Sequence, residues 1–100
     1  MLPALVISPE IEKKIAQPDH GCVTPRQVSD CFENWDGRLC YDRRAEHQDE
    51  HGNPTPWFVA ETNQRHLLKI MYVLRDGKIF LKSAYPATAD VERIFEKYAR

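Results

Sequence analysis

The dipeptide Asp76-Gly77 sits between two apolar runs, Leu67–Leu74 and Ile79–Tyr85. Asp-Gly in that setting is a strong signal for a two-residue β-hairpin, because both central residues of a type I′ turn need positive φ. A two-residue turn makes Arg75 face Lys78, and every later pairing follows by counting. Side chains alternate between faces along a strand. The count predicts one face carrying Leu68, Ile70, Tyr72 and Leu74 with Ile79, Leu81, Ser83 and Tyr85. That is the face for helices to cover. The other face carries Lys69, Met71, Val73 and Arg75 with Lys78, Phe80, Lys82 and Ala84. In this register Lys82 lies across from Met71, and Lys69 from Ala84.

The second face is half apolar and half cationic, and its nearest acid is the turn residue Asp76. A preceding strand, Trp57–Asn63, is expected to pair with Leu67–Leu74 through a short turn at Gln64-Arg65. Phe58 and Ala60 then join the cationic face, and Glu61 falls opposite Leu68, beside Tyr85 on the apolar one. A sheet open to water, with lysines guarding against edge association, is one reading of such a face. A groove that binds phosphates and stacks bases on Phe80 or Phe58 is the other. Four cations without balancing acids favour an anionic ligand, either RNA or the acidic surface of a protein.

The rest of the chain reads as one domain over residues 1–100. Ala4–Ile7 is a short edge strand. Ser8-Pro9-Glu10 starts a helix, with Ser as N-cap and Pro in the first turn. Ile11 and Ile15 share its apolar side, and Pro18 and Gly21 close it. Thr24-Pro25-Arg26-Gln27 is a capping box, followed by Val28, Cys31, Phe32 and Trp35 on one helical stripe. Asp36-Gly37 ends that helix. Arg38–Asp42 is a strand, and Arg43–Pro56 is a polar, exposed loop. A last helix begins near Ala89 and repeats the stripe with Val91, Ile94, Phe95 and Tyr98. The order predicts an α+β fold. Its antiparallel sheet of four to five strands packs against two N-terminal helices and one C-terminal helix.

Composition excludes little. Charged residues make up 29% and hydrophobic ones 42%, an ordinary globular balance. The net charge of −1 conceals a difference between halves. Residues 1–50 carry 6 Lys/Arg against 10 Asp/Glu, and residues 51–100 carry 8 against 5. Cys22, Cys31 and Cys40 are odd in number and hold no CxxC pair, which argues against a disulfide framework or a zinc site. His47 and His51 lie four apart beside Asp49 and Glu50, but in a loop without helical patterning, so no metal is expected. No signal peptide and no membrane span is read from the start of the chain, and the expected location is cytoplasmic.

Several of these stretches occur together in one known family. "EKKIAQPDHGCVTPRQVSDCF", then "YD" before a variable loop, then a tryptophan opening a strand, two long strands, "SAYPAT" and "ERIFEKY" follow one another here. In order and spacing the chain resembles the BrnT-type toxins of bacterial toxin–antitoxin modules, within the RelE/ParE superfamily. The resemblance implies a RelE-like fold and a small endoribonuclease that inhibits translation, works without metal or other cofactor, and is neutralised by a cognate antitoxin. It implies attack by the ribose 2′-OH, which needs a base, cations for the phosphorane and an acid for the leaving oxygen. Where such toxins carry a basic residue after "SA", this chain has Tyr85.

Lys82, Arg75 and Lys69 are the candidate cations. Tyr85, Glu61 and His66 are the candidate acid and base groups, although the counted register assigns Tyr85 to packing. Lys78, Phe80, Phe58 and Arg65 are the candidate RNA contacts. Trp57 is expected in the core, and His20 of "DHG" is expected to do no more than close a helix. The alternative function is a non-catalytic binding module whose basic sheet face docks an acidic protein. Dimerisation through the Ala4–Ile7 edge is a further expectation.

Overall fold

Asp76 (φ 53°) and Gly77 (φ 73°) take the left-handed conformation that a two-residue hairpin turn demands, and Arg75 pairs with Lys78 as counted. The computed structural model describes residues 4–44, 48 and 52–100. Its elements run β1 (Ala4–Val6), α1 (Pro9–Ile15), α2 (Pro25–Asn34), β2 (Cys40–Asp42), β3 (Thr55–Glu61), β4 (Leu67–Arg75), β5 (Lys78–Pro86) and α3 (Ala89–Tyr98), with a 3₁₀ turn at Pro18–His20. The five strands form one sheet in the order β1-β5-β4-β3-β2. The α+β class, the strand count and the helix complement match the sequence reading. The sheet is mixed, because β1 joins β5 in parallel while the other pairs are antiparallel. β3 begins at Thr55, two residues inside the stretch expected as loop.

The helix starts are those the sequence specifies. Ser8 Oγ accepts from the Ile11 amide, and Thr88 Oγ1 from the Val91 amide. Thr24 and Gln27 bond each other's backbone amides in a complete capping box. Each such cap satisfies donors that the first turn leaves open, worth about 1 kcal/mol.

Two pairings depart from the count, and both redistribute side chains between the faces. The β3–β4 connection is not a two-residue turn at Gln64-Arg65. The Thr62 amide donates to the His66 carbonyl, and the Arg65 amide to the Thr62 carbonyl. That leaves a three-residue loop, Asn63–Arg65, with Arg65 at φ 66°, the left-handed position that glycine usually fills in such loops. Glu61 therefore pairs with Leu67 instead of Leu68, and Phe58 with Ile70 instead of Met71. In the second departure, β5 holds one residue more than β4 between Tyr72↔Leu81 and Met71↔Ser83. Lys82 is the extra residue and has no partner in β4. Beyond this bulge Ala84 pairs with Ile70, and Tyr85 with Lys69. The expected pairs Lys82–Met71 and Lys69–Ala84 do not form. A bulge re-aims the side chains that follow it. Here it seats small Ala84 in the core, fully buried, and moves Tyr85 and Ser83 to the other face.

Adjacent residues Trp57 and Phe58 point to opposite sides of the sheet, and each meets a different helix. Phe58 stacks on Trp35 just past α2 (centroids 4.2 Å, planes 13° apart) and meets the edge of Phe32 at 5.1 Å. Tyr72 closes this cluster against Phe32 at 5.6 Å. Trp57 instead meets Phe95 of α3 at 5.9 Å. Both faces of the sheet thus carry a helix, whereas the count left the second face open. The α2 side holds the deepest thiol. Cys31 is fully buried and donates to the Ala60 carbonyl. Burial, with Asp30 adding to it, pushes this thiol from 9.0 up to about 12.

Two outcomes test this description. Arg65→Gly relieves a left-handed non-glycine residue and is expected to raise stability by about 0.5–1 kcal/mol, read by urea denaturation. A thiol whose folded-state value lies above its unfolded one favours the native state below the unfolded value. Stability is therefore expected to fall as pH rises from 9 towards about 12, and Cys31→Ala should lose less over that range than the parent chain.

Candidate functional site

Lys69 is a lysine in a place where lysines are rare. It is 7% exposed, on the face that α3 partly covers. Its Nζ lies 4.4 Å from the centroid of the Trp57 ring and 5.6 Å from that of Tyr85. Both rings reach it through pairing. Tyr85 is its direct partner on β5, brought there by the bulge, and Trp57 lies diagonally on β3 beside its other partner, Val59. Among the described residues no carboxylate or carbonyl oxygen accepts from this ammonium. The stem is buried while Nζ, which is not among the enclosed polar atoms, keeps access to solvent, as long cationic side chains commonly arrange themselves. Its donors are open to water or to an anion that takes the place of that water. The same charge acts on Cys40, whose thiol is raised by burial and lowered in smaller part by Lys69 and Arg38.

Two further groups reach this end of the sheet. Glu61 lies on the same face as Lys69, two pairs nearer the β3–β4 turn, which makes them diagonal neighbours with about 7–8 Å between them. It is exposed, not on the apolar face as counted. His20 approaches from the 3₁₀ turn, where its ring meets the edge of Tyr85 at 6.4 Å. Gly21 beside it has no room for a Cβ, which would lie 2.4 Å from the Pro86 ring. The His20 Nδ1 is buried without a hydrogen-bond partner. The sequence reading gave His20 no chemistry. Its only signal was the "HG" that precedes the second helix.

Beside the lysine a cleft of about 590 Å³ opens between the end of α2, the β3–β4 turn and α3. Val59 and Leu67 line it, as do Glu61 and Arg65. Its far wall is acidic and internally braced. Arg38 donates to Asp36 at 2.9 Å and to Glu96 at 3.3 Å. The Asp36 carboxyl lies below its ordinary value, chiefly because the Arg38 amide donates to it.

The other expected residues lie elsewhere. Arg75 and Lys78 face each other at the hairpin tip, about 20 Å along the strand from Lys69. Lys82 is exposed at the bulge, and its carbonyl accepts from Lys14 Nζ at 3.4 Å. Phe80 is half-buried and pairs with Val73 near the tip. Phe58 is fully buried beneath the α2 side, so no base can stack on it. Arg65 and His66 are exposed in the turn. The expected single row of cations is therefore broken into Arg75 and Lys78 at the tip, Lys82 at the bulge and the buried side chain of Lys69 at the other end. His47 and His51 lie outside the described residues, and among those described no cluster of His, Cys, Asp or Glu is placed to hold a metal. No described helix is long and apolar enough to cross a membrane.

The chain matches no family model, no curated protein and no solved structure.

Lys69→Met keeps the packing between the rings and removes the charge. It is expected to alter unfolding free energy by no more than about 1 kcal/mol. Lys69→Glu sets an anion against two ring faces and is expected to cost about 2–4 kcal/mol in the same urea titration.

Proposed function

We propose that the chain is a metal-independent endoribonuclease, the toxin of a bacterial toxin–antitoxin pair, acting at the end of the sheet where Lys69, Tyr85 and Glu61 share one face. The observation that carries this reading is the Lys69 side chain, buried along its length, whose ammonium lies against two rings, keeps access to solvent and has no acceptor among the described residues. A phosphate oxygen is the acceptor such a site lacks. The exposed Arg65 at the adjoining turn adds a second cation for the backbone.

Cleavage of RNA by its own 2′-hydroxyl needs three things, and this face offers a group for each. Glu61 takes the proton from O2′. O2′ then bonds to phosphorus, and Lys69 neutralises the charge that develops on the phosphorane. As the P–O5′ bond breaks, the leaving oxygen takes a proton from an acid, for which Tyr85 is the nearest candidate and His66 the next. The products are a 2′,3′-cyclic phosphate and a free 5′-hydroxyl. Holding phosphate and hydroxyl in line supplies much of the rate. The substrate places this activity in the cytoplasm, and the antitoxin would be the protein that covers the site.

An end-labelled RNA oligonucleotide incubated with the chain in excess EDTA tests the reading. Cleavage to cyclic-phosphate ends is expected, slowed about 100-fold by Tyr85→Phe with RNA affinity unchanged. Lys69→Met is expected to lose both cleavage and the salt dependence of binding that its phosphate contact supplies. An intact oligonucleotide bound no better than by Lys69→Met would overturn it.

A further inference from the structure

The apolar stripe of α3 is only partly used by the sheet. Of its four residues, Phe95 is buried and Val91 half-buried, while Ile94 is 43% and Tyr98 60% exposed. At 100° per residue, Glu92 and Glu96 flank Phe95 on one side of the helix, and Ile94 and Tyr98 on the other. The glutamate flank lines the cleft described above. The apolar flank lines a different groove of about 480 Å³ between α3 and the edge strand β2, with Trp57 and exposed Tyr41. Three of the four large exposed hydrophobic residues of the described chain, Tyr41, Ile94 and Tyr98, therefore line one groove; the fourth, Leu74, does not.

Its charge is one-sided. Arg43 and Arg100 line it, and among the described residues no acid does. Lys97 adds a third cation, its Nζ 5.4 Å from the Tyr98 ring centroid. Aromatic and aliphatic surface rimmed by arginine is the composition of a protein-binding hot spot. A patch of one sign selects a partner of the other. A second copy of this chain fits poorly, because the carboxylates on the same helix, Glu92 and Glu96, line a concave cleft, and two hollows do not interlock.

We propose that the groove between α3 and β2 docks a segment of another protein in which one or two large apolar side chains are flanked by carboxylates. The apolar side chains cover Ile94, Tyr98 and the exposed rim of Trp57, and the carboxylates meet Arg43 and Arg100. This site is separate from Lys69 and does not depend on the chain cleaving RNA.

The probe is a displayed library of random peptides about twelve residues long, selected against the whole chain. Enriched peptides are expected to share a large apolar residue with Asp or Glu within a few positions. Ile94→Asp, an exposed position whose folding is checked by its amide spectrum, is expected to weaken them about tenfold or more, and so is Arg43→Glu. RNA affinity should be unchanged in both variants, which separates this proposal from the preceding one. Enrichment without acidic residues, peptides indifferent to Ile94→Asp, or no enrichment would overturn it. So would self-association of the free chain that Ile94→Asp abolishes, since the occupant would then be a second copy.

Discussion

The extra residue at Lys82 decides which side of the sheet the end of β5 presents. Without it, Tyr85 would lie under the helices and Ala84 beside Lys69, leaving the lysine without its second ring. With it, Ala84 fills the small space opposite Ile70, and Tyr85 turns to Lys69. The Trp57–Lys69–Tyr85 arrangement, the approach of His20 and the chemistry proposed for that end of the sheet all depend on this one-residue shift. A bulge disturbs a single ladder step, and its effect is carried by every side chain beyond it.

Much of the fold is legible in the sequence because it is written locally. Ser8, Thr24 and Thr88 each begin a helix through their own hydroxyl. Asp76-Gly77 specifies a hairpin by its backbone preference, and the stripe through Val28, Cys31, Phe32 and Trp35 identifies the face of α2. The two mistaken registers were not local in this sense. Nothing in Gln64-Arg65 marks Arg65 as the residue to be held left-handed, since that place usually goes to glycine. Nothing in "FLKSAY" marks Lys82 as unpaired, because alternation reads equally well through it until Ala84 and Tyr85 are weighed against the space opposite Ile70. The last helix shows the converse limit. Its stripe is a true amphipathic signal, but periodicity does not say how much of a stripe the sheet will cover.

The candidate site was legible in its parts and not in its assembly. Lys69, Tyr85 and Glu61 were singled out as residue types, yet the counted register spread them over two faces. Two single-residue errors, one at each side of β4, separated groups that lie together. The cations went the other way. A face expected to hold four in a row has the side chain of Lys69 buried at one end, Lys82 displaced at the bulge, and Arg75 and Lys78 exposed at the tip. An ammonium held in one place by two rings makes a stronger case for an anion than a row of freely moving lysines does, because less side-chain freedom remains to be lost on binding.

The central claim, that the ammonium-bearing end of Lys69 rests between two rings, is open to direct observation by NMR. The ε-methylene protons of Lys69 should lie well upfield of those of Lys78 and Lys82, through the ring currents of Trp57 and Tyr85, and should show cross-relaxation to both rings. Ordinary lysine shifts at Lys69, or contacts from Ala84 in place of Tyr85, would contradict the bulge and the site built on it.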